Sequence, residues 1–154
     1  MEQLIGVYGA SGFGRQIMPL VKTQYPYLGI SCFVFIDDNS VSTELNGHKV
    51  LTYNEFLEHS SSDKKATIAI ANSQIRELLS NRLAADNIEN IAVSSETVVV
   101  LDNNTVEISE GSILCSHVCL KINIKIGKFF HANTYSYILS LIHISEPTRQ
   151  AEIS

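Results

Sequence analysis

Residues 108–138 read ISEGSILCSHVCLKINIKIGKFFHANTYSYI. Ile108, Leu114, Leu120, Ile126, Ala132 and Ile138 recur every six residues without a gap. A second column, Ser112, Val118, Ile124, Phe130 and Ser136, stands four places further on with the same spacing. A helix repeats every ~3.6 residues and a flat strand every ~2, so a six-residue repeat fits neither. It fits a β-helix, in which each short side of a prism takes one hexapeptide and the inward residue stacks on the coil below. Three hexads make one triangular coil, so this stretch supplies under two coils, where solenoids generally need about three repeats. The competing reading is a small antiparallel sheet with accidental spacing. Beyond Ile138 the chain reads LSLIHISEPTRQAEIS, with Pro147 after a β-like run and no glycine-rich turn. On this pattern it does not continue the prism.

Working toward the N-terminus, the helix signals missing after about residue 96 return. Leu4–Tyr8 is an apolar run ending at Gly9, the pattern of a buried strand in a parallel sheet. GASGFG follows, then RQIMPLVKTQ at helical spacing, with Pro19 as an interior breaker that implies a kink or a late start. Ser31–Ile36 reads as a second strand, closed by the polar turn Asp37, Asp38 and Asn39. Asn46-Gly47 signals a turn before HKVL, and Tyr53–Glu58 a short helix. Ala66–Ala71 reads as a further buried strand. Asn72 or Ser73 can cap the helix QIRELLSNRLAAD, whose Ile75, Leu78, Leu79 and Leu83 share a face. Ile91–Val93 reads as the last strand of this unit. Alternation of this kind predicts an α/β, Rossmann-like βαβ domain over residues 1–95. A truncated β-helix over 96–138 and a tail over 139–154, foreign in character, complete the expected organisation.

Bulk properties agree with one or two globular domains. The chain has 154 residues, 45% of them apolar and 18% charged, which argues against disorder. Its formal charge of −5 disfavours nonspecific binding to duplex DNA or an anionic membrane. No apolar run is long enough to span a membrane, and MEQLIGVYGA enters a strand pattern without a secretory signal. Three cysteines, Cys32, Cys115 and Cys119, make no disulfide framework and point to a reducing, cytoplasmic setting.

The chemistry-bearing residues cluster at strand ends. Gly9, Ser11, Gly12, Phe13 and Gly14 lie between strand and helix with the spacing G-x-x-G-x-G, which lets backbone amides approach an anion at a helix N-terminus. The dinucleotide fingerprint is G-x-G-x-x-G, a different arrangement. Asp37 and Asp38 end the second strand, where a carboxylate accepts ribose hydroxyls. Together these residues point to a nucleotide or nucleotide-sugar site; a tight turn beside a solvated acidic turn is the alternative. Arg76, in the first turn of its helix, is a candidate for phosphate or carboxylate, and Arg15 a weaker one. His117 and His131 lie in the repeat without verifiable triad partners. Cys115, His117 and Cys119 would share a strand face but lack the fourth ligand of a structural zinc site, so no metal is assigned.

Taken in order, IGVYGASGFGRQI (5–17), FVFIDDN (33–39), NGHKVL (46–51), AIANSQIR (69–76) and KIGKFFHANTYSYI (125–138) resemble the NeuD/PglD-type sugar O- or N-acetyltransferases, hexapeptide acyltransferases with a left-handed β-helix. The resemblance implies transfer of acetyl from acetyl-CoA to a hydroxyl or amine of a nucleotide-linked or amino sugar. It implies sugar-nucleotide contacts at Gly9, Ser11, Gly12, Phe13 and Gly14, with Asp37 and Asp38 near the nucleoside; Phe13 stands where relatives often carry histidine. It further implies a homotrimer, with acetyl-CoA along the prism between neighbouring subunits. The general base of such enzymes is a histidine in a His-Asp-Cys-like segment directly after the stretch matching Tyr135–Ile138. Here LSLIHISEPTRQ stands instead, and its LSLIHISEPTR resembles a translated sequencing adapter. His143 lies near the expected distance, but its neighbours do not match, so no catalytic residue is assigned and this chain is expected to be inactive. The alternatives are a noncatalytic nucleotide-sugar-binding module and a NAD-linked oxidoreductase; the glycine spacing and the period-six region argue against the latter.

Overall fold

The computed structural model places the apolar run Leu4–Tyr8 inside a six-stranded sheet, and Leu4, Ile5, Val7 and Tyr8 are all buried. The structure describes residues 2–128, 130–132 and 137–144, with Ile122 and 137–144 as backbone alone. In chain order the first elements are β1 (Gln3–Tyr8), α1 (Gly12–Gln24), β2 (Phe33–Ile36), β3 (Glu44–Leu45), β4 (His48–Leu51), α2 (Tyr53–Glu58), β5 (Asp63–Ile68), α3 (Ser73–Ala85) and β6 (Glu89–Asn90). The sheet order is β3-β4-β2-β1-β5-β6. All pairings are parallel except the β3–β4 hairpin. Asn46 and Gly47 form that hairpin's two-residue turn, both at positive φ (51° and 82°), which fits a primed turn with the twist of its strands. From β1 the chain winds one way to β2 and β4, then crosses to β5 and β6 on the other side. The β1/β5 boundary is therefore a topological switch point, where open α/β sheets bind ligands.

Several boundaries differ from the sequence reading. Residues 30–32 form a single 3₁₀ turn, so β2 begins at Phe33. The strand expected over Ala66–Ala71 begins earlier, at Asp63, because Gln3 of β1 pairs with Asp63, and ends at Ile68. Helix α1 starts at Gly12 and runs through Pro19, which removes the amide that would bond the Arg15 carbonyl. Only Leu79 and Leu83 of the expected α3 face are buried; Ile75 and Leu78 are exposed. The last strand of the sheet is Glu89–Asn90 on β5. Val93 instead opens the repeat.

The repeat consists of β7 (Val93–Ser94), β8 (Val99–Val100), β9 (Val106–Ile108), β10 (Ile113–Leu114), β11 (Cys119–Ile126), β12 (His131–Ala132) and β13 (Tyr137–Ile144). Every pairing among them is parallel, which excludes the antiparallel alternative. One face stacks β7, β10 and β12; a second stacks β8, the start of β11 and the start of β13; the third stacks β9 with the end of β11 and the end of β13. Leu114, Val118, Leu120, Ile124, Ile126, Phe130 and Ala132, drawn from both six-residue columns, form one buried cluster. These are coils of a parallel β-helix following a Rossmann-like unit. Ile108, the first member of its column, is 41% exposed because β9 is the edge of its face. The backbone stays in register with β11 as far as Ile144, six residues beyond Ile138 where the hexad pattern ends. Residues 145–154 of the expected tail lie outside the described residues, as does Ser136.

By contacts the chain forms two compact units, one of residues 1–71 with 81–90, the other of 72–80 with 91–154.

Candidate functional site

The glycine-rich loop joins β1 to α1 at the switch point. Gly9 adopts φ +117°, and a Cβ there would lie 2.8 Å from the Ala69 carbonyl oxygen. A Cβ on Gly14 would collide with the Gly9 carbonyl oxygen, so both glycines are needed for the loop to close against itself. Gly12 differs: nothing lies within 4 Å of where its Cβ would be. Ser11 is the N-cap of α1 in extended conformation, and its side chain makes no capping hydrogen bond. The first turn of α1 contains no acidic residue. An exposed helix N-terminus with an open side at Gly12 and no carboxylate of its own is an anion cradle in shape and charge.

The acidic turn after β2 splits into two roles. Asp37 Oδ2 accepts from the Ala10 amide (3.3 Å) and Oδ1 from the Asn39 amide (2.9 Å), which ties the turn to the glycine loop. Asp38 belongs to another network. Its Oδ1 accepts from the Tyr53 amide at 2.8 Å, and its Oδ2 lies 3.5 Å from both the Tyr8 hydroxyl and Arg82 Nη1. Arg82 Nη1 donates to the Tyr8 hydroxyl at 2.7 Å. Tyr8 and Tyr53 stack with centroids 5.5 Å apart, and the Arg82 guanidinium lies 5.2 Å from the Tyr53 centroid. The Tyr53 hydroxyl donates to Asp86 Oδ2 at 2.6 Å. Burial raises the Tyr53 hydroxyl pKa, and the bond to Asp86 raises it further, so Tyr53 stays a donor. An open cleft of ≈ 540 Å³ adjoins this network, lined by Asp38, Tyr53, Asn54, Leu57, Arg82 and Asp86.

Of the residues singled out in the sequence, the structure brings Gly9, Ser11, Gly12, Phe13, Gly14 and Asp37 together, and turns Asp38 into the tyrosine–arginine network. Arg76 sits in the other unit and is 4% exposed. Its amide bonds the Asn72 carbonyl, while Asn72 Oδ1 caps α3 through the Ile75 amide. Cys115, His117 and Cys119 do not share a face. His117, at φ 61°, turns the corner between β10 and β11, so the two cysteines fall on different sides of the prism. His131 is buried in β12. Tyr8, Tyr53, Arg82 and Asp86 were not singled out from sequence. One local signal marked Tyr53: Thr52 and Glu55 form a capping box that starts α2 at this tyrosine.

Residues 4–83 match the model of the PglD N-terminal domain, just over half of the chain. The chain belongs to this family. The family stretch holds the glycine loop, the acidic turn and most of the network around Tyr53. The chain is 35% identical over 137 residues to a GDP-perosamine N-acetyltransferase of Escherichia coli O157:H7. That alignment takes in 88% of this chain but only 61% of the relative, so the chain spans about three fifths of the curated relative's length. Among solved structures, WeeI from Acinetobacter baumannii AYE superposes with a TM-score of 0.89 at 52% identity, covering 93% of this chain and 66% of that one. PerB from Caulobacter crescentus, solved with CoA and GDP-perosamine, shares the fold at TM-score 0.71 and 13% identity, over 91% of this chain and 67% of its own. No helix among the described residues is long and apolar enough to cross a membrane.

Proposed function

We propose that this chain carries the nucleotide-sugar-binding part of a sugar acetyltransferase that uses acetyl-CoA. The observation that carries the reading is the glycine loop at the start of α1, open at Gly12 and tied by the Ala10 amide to Asp37. The α1 N-terminus takes the diphosphate, and Asp37 stands where a ribose would follow. Phe13 offers no polar group at its loop position. The relative named GDP-perosamine N-acetyltransferase, 35% identical over 137 residues, supports an amino-sugar acceptor and acetyl as the group transferred.

In the whole protein a histidine base takes the proton from the sugar amine or hydroxyl as it attacks the acetyl thioester; the acetyl C–S bond breaks and CoA leaves as its thiol. This chain has LSLIHISEPTRQ where the resemblance expects that base, and the 154-residue polypeptide by itself binds sugar nucleotide without transferring acetyl. The whole protein works as a homotrimer in the cytoplasm. Val99 and Leu101, 48% and 60% exposed on the first coil, are apolar surface of the kind a subunit contact covers. The three free cysteines fit a reducing compartment.

Calorimetry with a nucleoside-diphosphate amino sugar, beside a thiol-release assay with acetyl-CoA, tests this reading. Saturable binding of the sugar nucleotide without thiol release is expected. NAD binding in place of the sugar nucleotide would favour the oxidoreductase, and measurable turnover would show that the site is complete.

A further inference from the structure

Another cavity, of ≈ 330 Å³, is built wholly from residues of the first unit. Glu2 precedes β1, Phe33 opens β2 and His48 opens β4, so the cavity lies toward the end of the sheet where these strands begin. The glycine loop and the acidic turn stand where the strands finish. The volume is near the lower limit of the ~300–1,000 Å³ of small-molecule sites, which suits a ligand much smaller than a sugar nucleotide.

Part of its lining is apolar. Phe33 and Val34, both buried, and Leu51 of β4 contribute to it. Ile30, 59% exposed, continues this wall outward, its Cδ1 lying 3.7 Å from where a Cβ on Gly47 would stand.

The rest is charged or polar. Glu44 and Lys49 are direct partners across the β3–β4 hairpin, and both line the cavity. Directly opposed residues of an antiparallel pair put their side chains on one face, with Cβ atoms about 5 Å apart. Among the described residues, neither makes an ion pair with the other or with any other group. An acceptor and a cation thus stand side by side at one cavity, both available to a ligand. Glu2 adds a second carboxylate. His59 adds a donor: its Nδ1 accepts from the Ser61 amide at 3.2 Å, which leaves the proton of the neutral ring on Nε2. His48 lines the cavity too, but its two nitrogens are engaged by Phe33 and Lys22.

These groups narrow the ligand. A dianion such as phosphate meets two carboxylates and a single ammonium. A simple carboxylate leaves Glu44 unmatched, and a simple amine leaves Lys49 unmatched. A zwitterion with an apolar body matches every part: its ammonium at Glu44 and Glu2, its carboxylate at Lys49 and the His59 donor, its side chain on the apolar wall.

We propose that this cavity is a binding site for a small zwitterion, an α-amino acid with an apolar side chain, read by Glu44 and Lys49 across the hairpin. It is separate from the sugar-nucleotide site and does not depend on that reading.

The test is an amide chemical-shift titration of the ¹⁵N-labelled full chain with four probes. They are leucine, glycine, 4-methylpentanoate (leucine without its ammonium) and isoamylamine (leucine without its carboxylate). Leucine is expected to move the amides of Phe33, Gly47, His48 and Lys49 along one saturable curve, with the millimolar Kd of a ligand this small, and to leave Ala10–Gly14 in place. The other three are expected to bind at least about fivefold more weakly, the scale of one exposed charge contact. E44Q should weaken leucine and isoamylamine but not 4-methylpentanoate. K49M should weaken leucine and 4-methylpentanoate but not isoamylamine. Both side chains are exposed and unpaired, so both variants should melt as the wild type does. The absence of saturable shifts at these amides with leucine overturns the proposal. So does any of the other three probes binding as tightly as leucine, or a variant that weakens leucine and both one-charge probes alike.

Discussion

Arg82 Nη1 and the Tyr8 hydroxyl, 74 residues apart in sequence, meet at 2.7 Å. The bond fastens the end of α3 to the end of β1, next to the loop that starts α1. Because Asp38 lies 3.5 Å from both partners, the three groups act as a unit. Each of Y8F and R82M is expected to destabilise the chain by about 1 kcal/mol, given the partial exposure of Arg82. The double variant should lose less than the sum by about 0.5–1 kcal/mol. Urea denaturation of the four proteins checks this, and strict additivity would show that the bond does not couple the two residues.

Two glycines in the loop answer to different demands. Gly14→Ala drives a methyl into the Gly9 carbonyl and should cost on the order of 1–3 kcal/mol. Gly12→Ala meets nothing and begins a helix, so its Tm should hold or rise slightly. It should nonetheless weaken nucleoside-diphosphate binding about tenfold by filling the open side of the anion cradle. Paired melting and titration curves check this; a Gly12→Ala chain that binds as the wild type does would remove Gly12 from the site.

Much of this was legible in the sequence. Gly9–Gly14 between an apolar run and a helix, and the six-residue columns from Leu114 to Ala132, depend on local pattern, and local pattern survives folding. The start of the repeat was not legible. Ile113 pairs with Val93 and Cys119 with Val99, twenty residues back, whereas Ile124 pairs with Val106, eighteen back. The two extra residues fall in the Asp102–Thr105 turn, where the Asp102 side chain accepts from the Asn104 amide and the Thr105 hydroxyl. They hide the first coil from a strict period. The Tyr8–Tyr53–Arg82 network was hidden for another reason: its members lie far apart in the chain, and sequence spacing carries no sign that their side chains meet.

His48 gives the first unit a pH response. It is buried, its Nδ1 lies 3.1 Å from the Phe33 carbonyl oxygen, and its Nε2 lies 3.3 Å from Lys22 Nζ. Burial lowers its pKa; the bond to the Phe33 carbonyl pulls it partly back up, and the Lys22 ammonium adds a lesser downward push, so the net shift is downward. The unfolded chain therefore binds more protons here than the folded one below the ordinary histidine pKa of about 6.5. Stability from this site is full above that pH and is lost as pH falls toward the folded pKa. Melting curves from pH 7.5 to 5 should show a decline in Tm that is shallower in H48Q. Equal slopes would place the titrating group elsewhere.

The corners of the prism rest on left-handed residues tied to the coil before them. Asn123, at φ 53°, donates its amide to Thr105 Oγ1, and His117, at φ 61°, donates its own to Thr97 Oγ1, both at 2.9 Å. N123V forces a β-branched side chain into this region and should cost about 1–2 kcal/mol, whereas N123G should be close to neutral. T105V should cost about 1 kcal/mol by leaving the corner amide without its acceptor. Hydrogen exchange at the Asn123 amide reports both, and unchanged protection in T105V would contradict the assignment.

The most direct test of the central claim, that the α1 N-terminus and the acidic turn hold a nucleoside diphosphate, is an amide chemical-shift titration of the ¹⁵N-labelled chain. On addition of GDP or UDP, the amides of Ala10–Gly14 and Asn39 should move together along one saturable curve. Shifts confined to other residues, with Ala10–Gly14 unmoved at saturating nucleotide, would contradict the account.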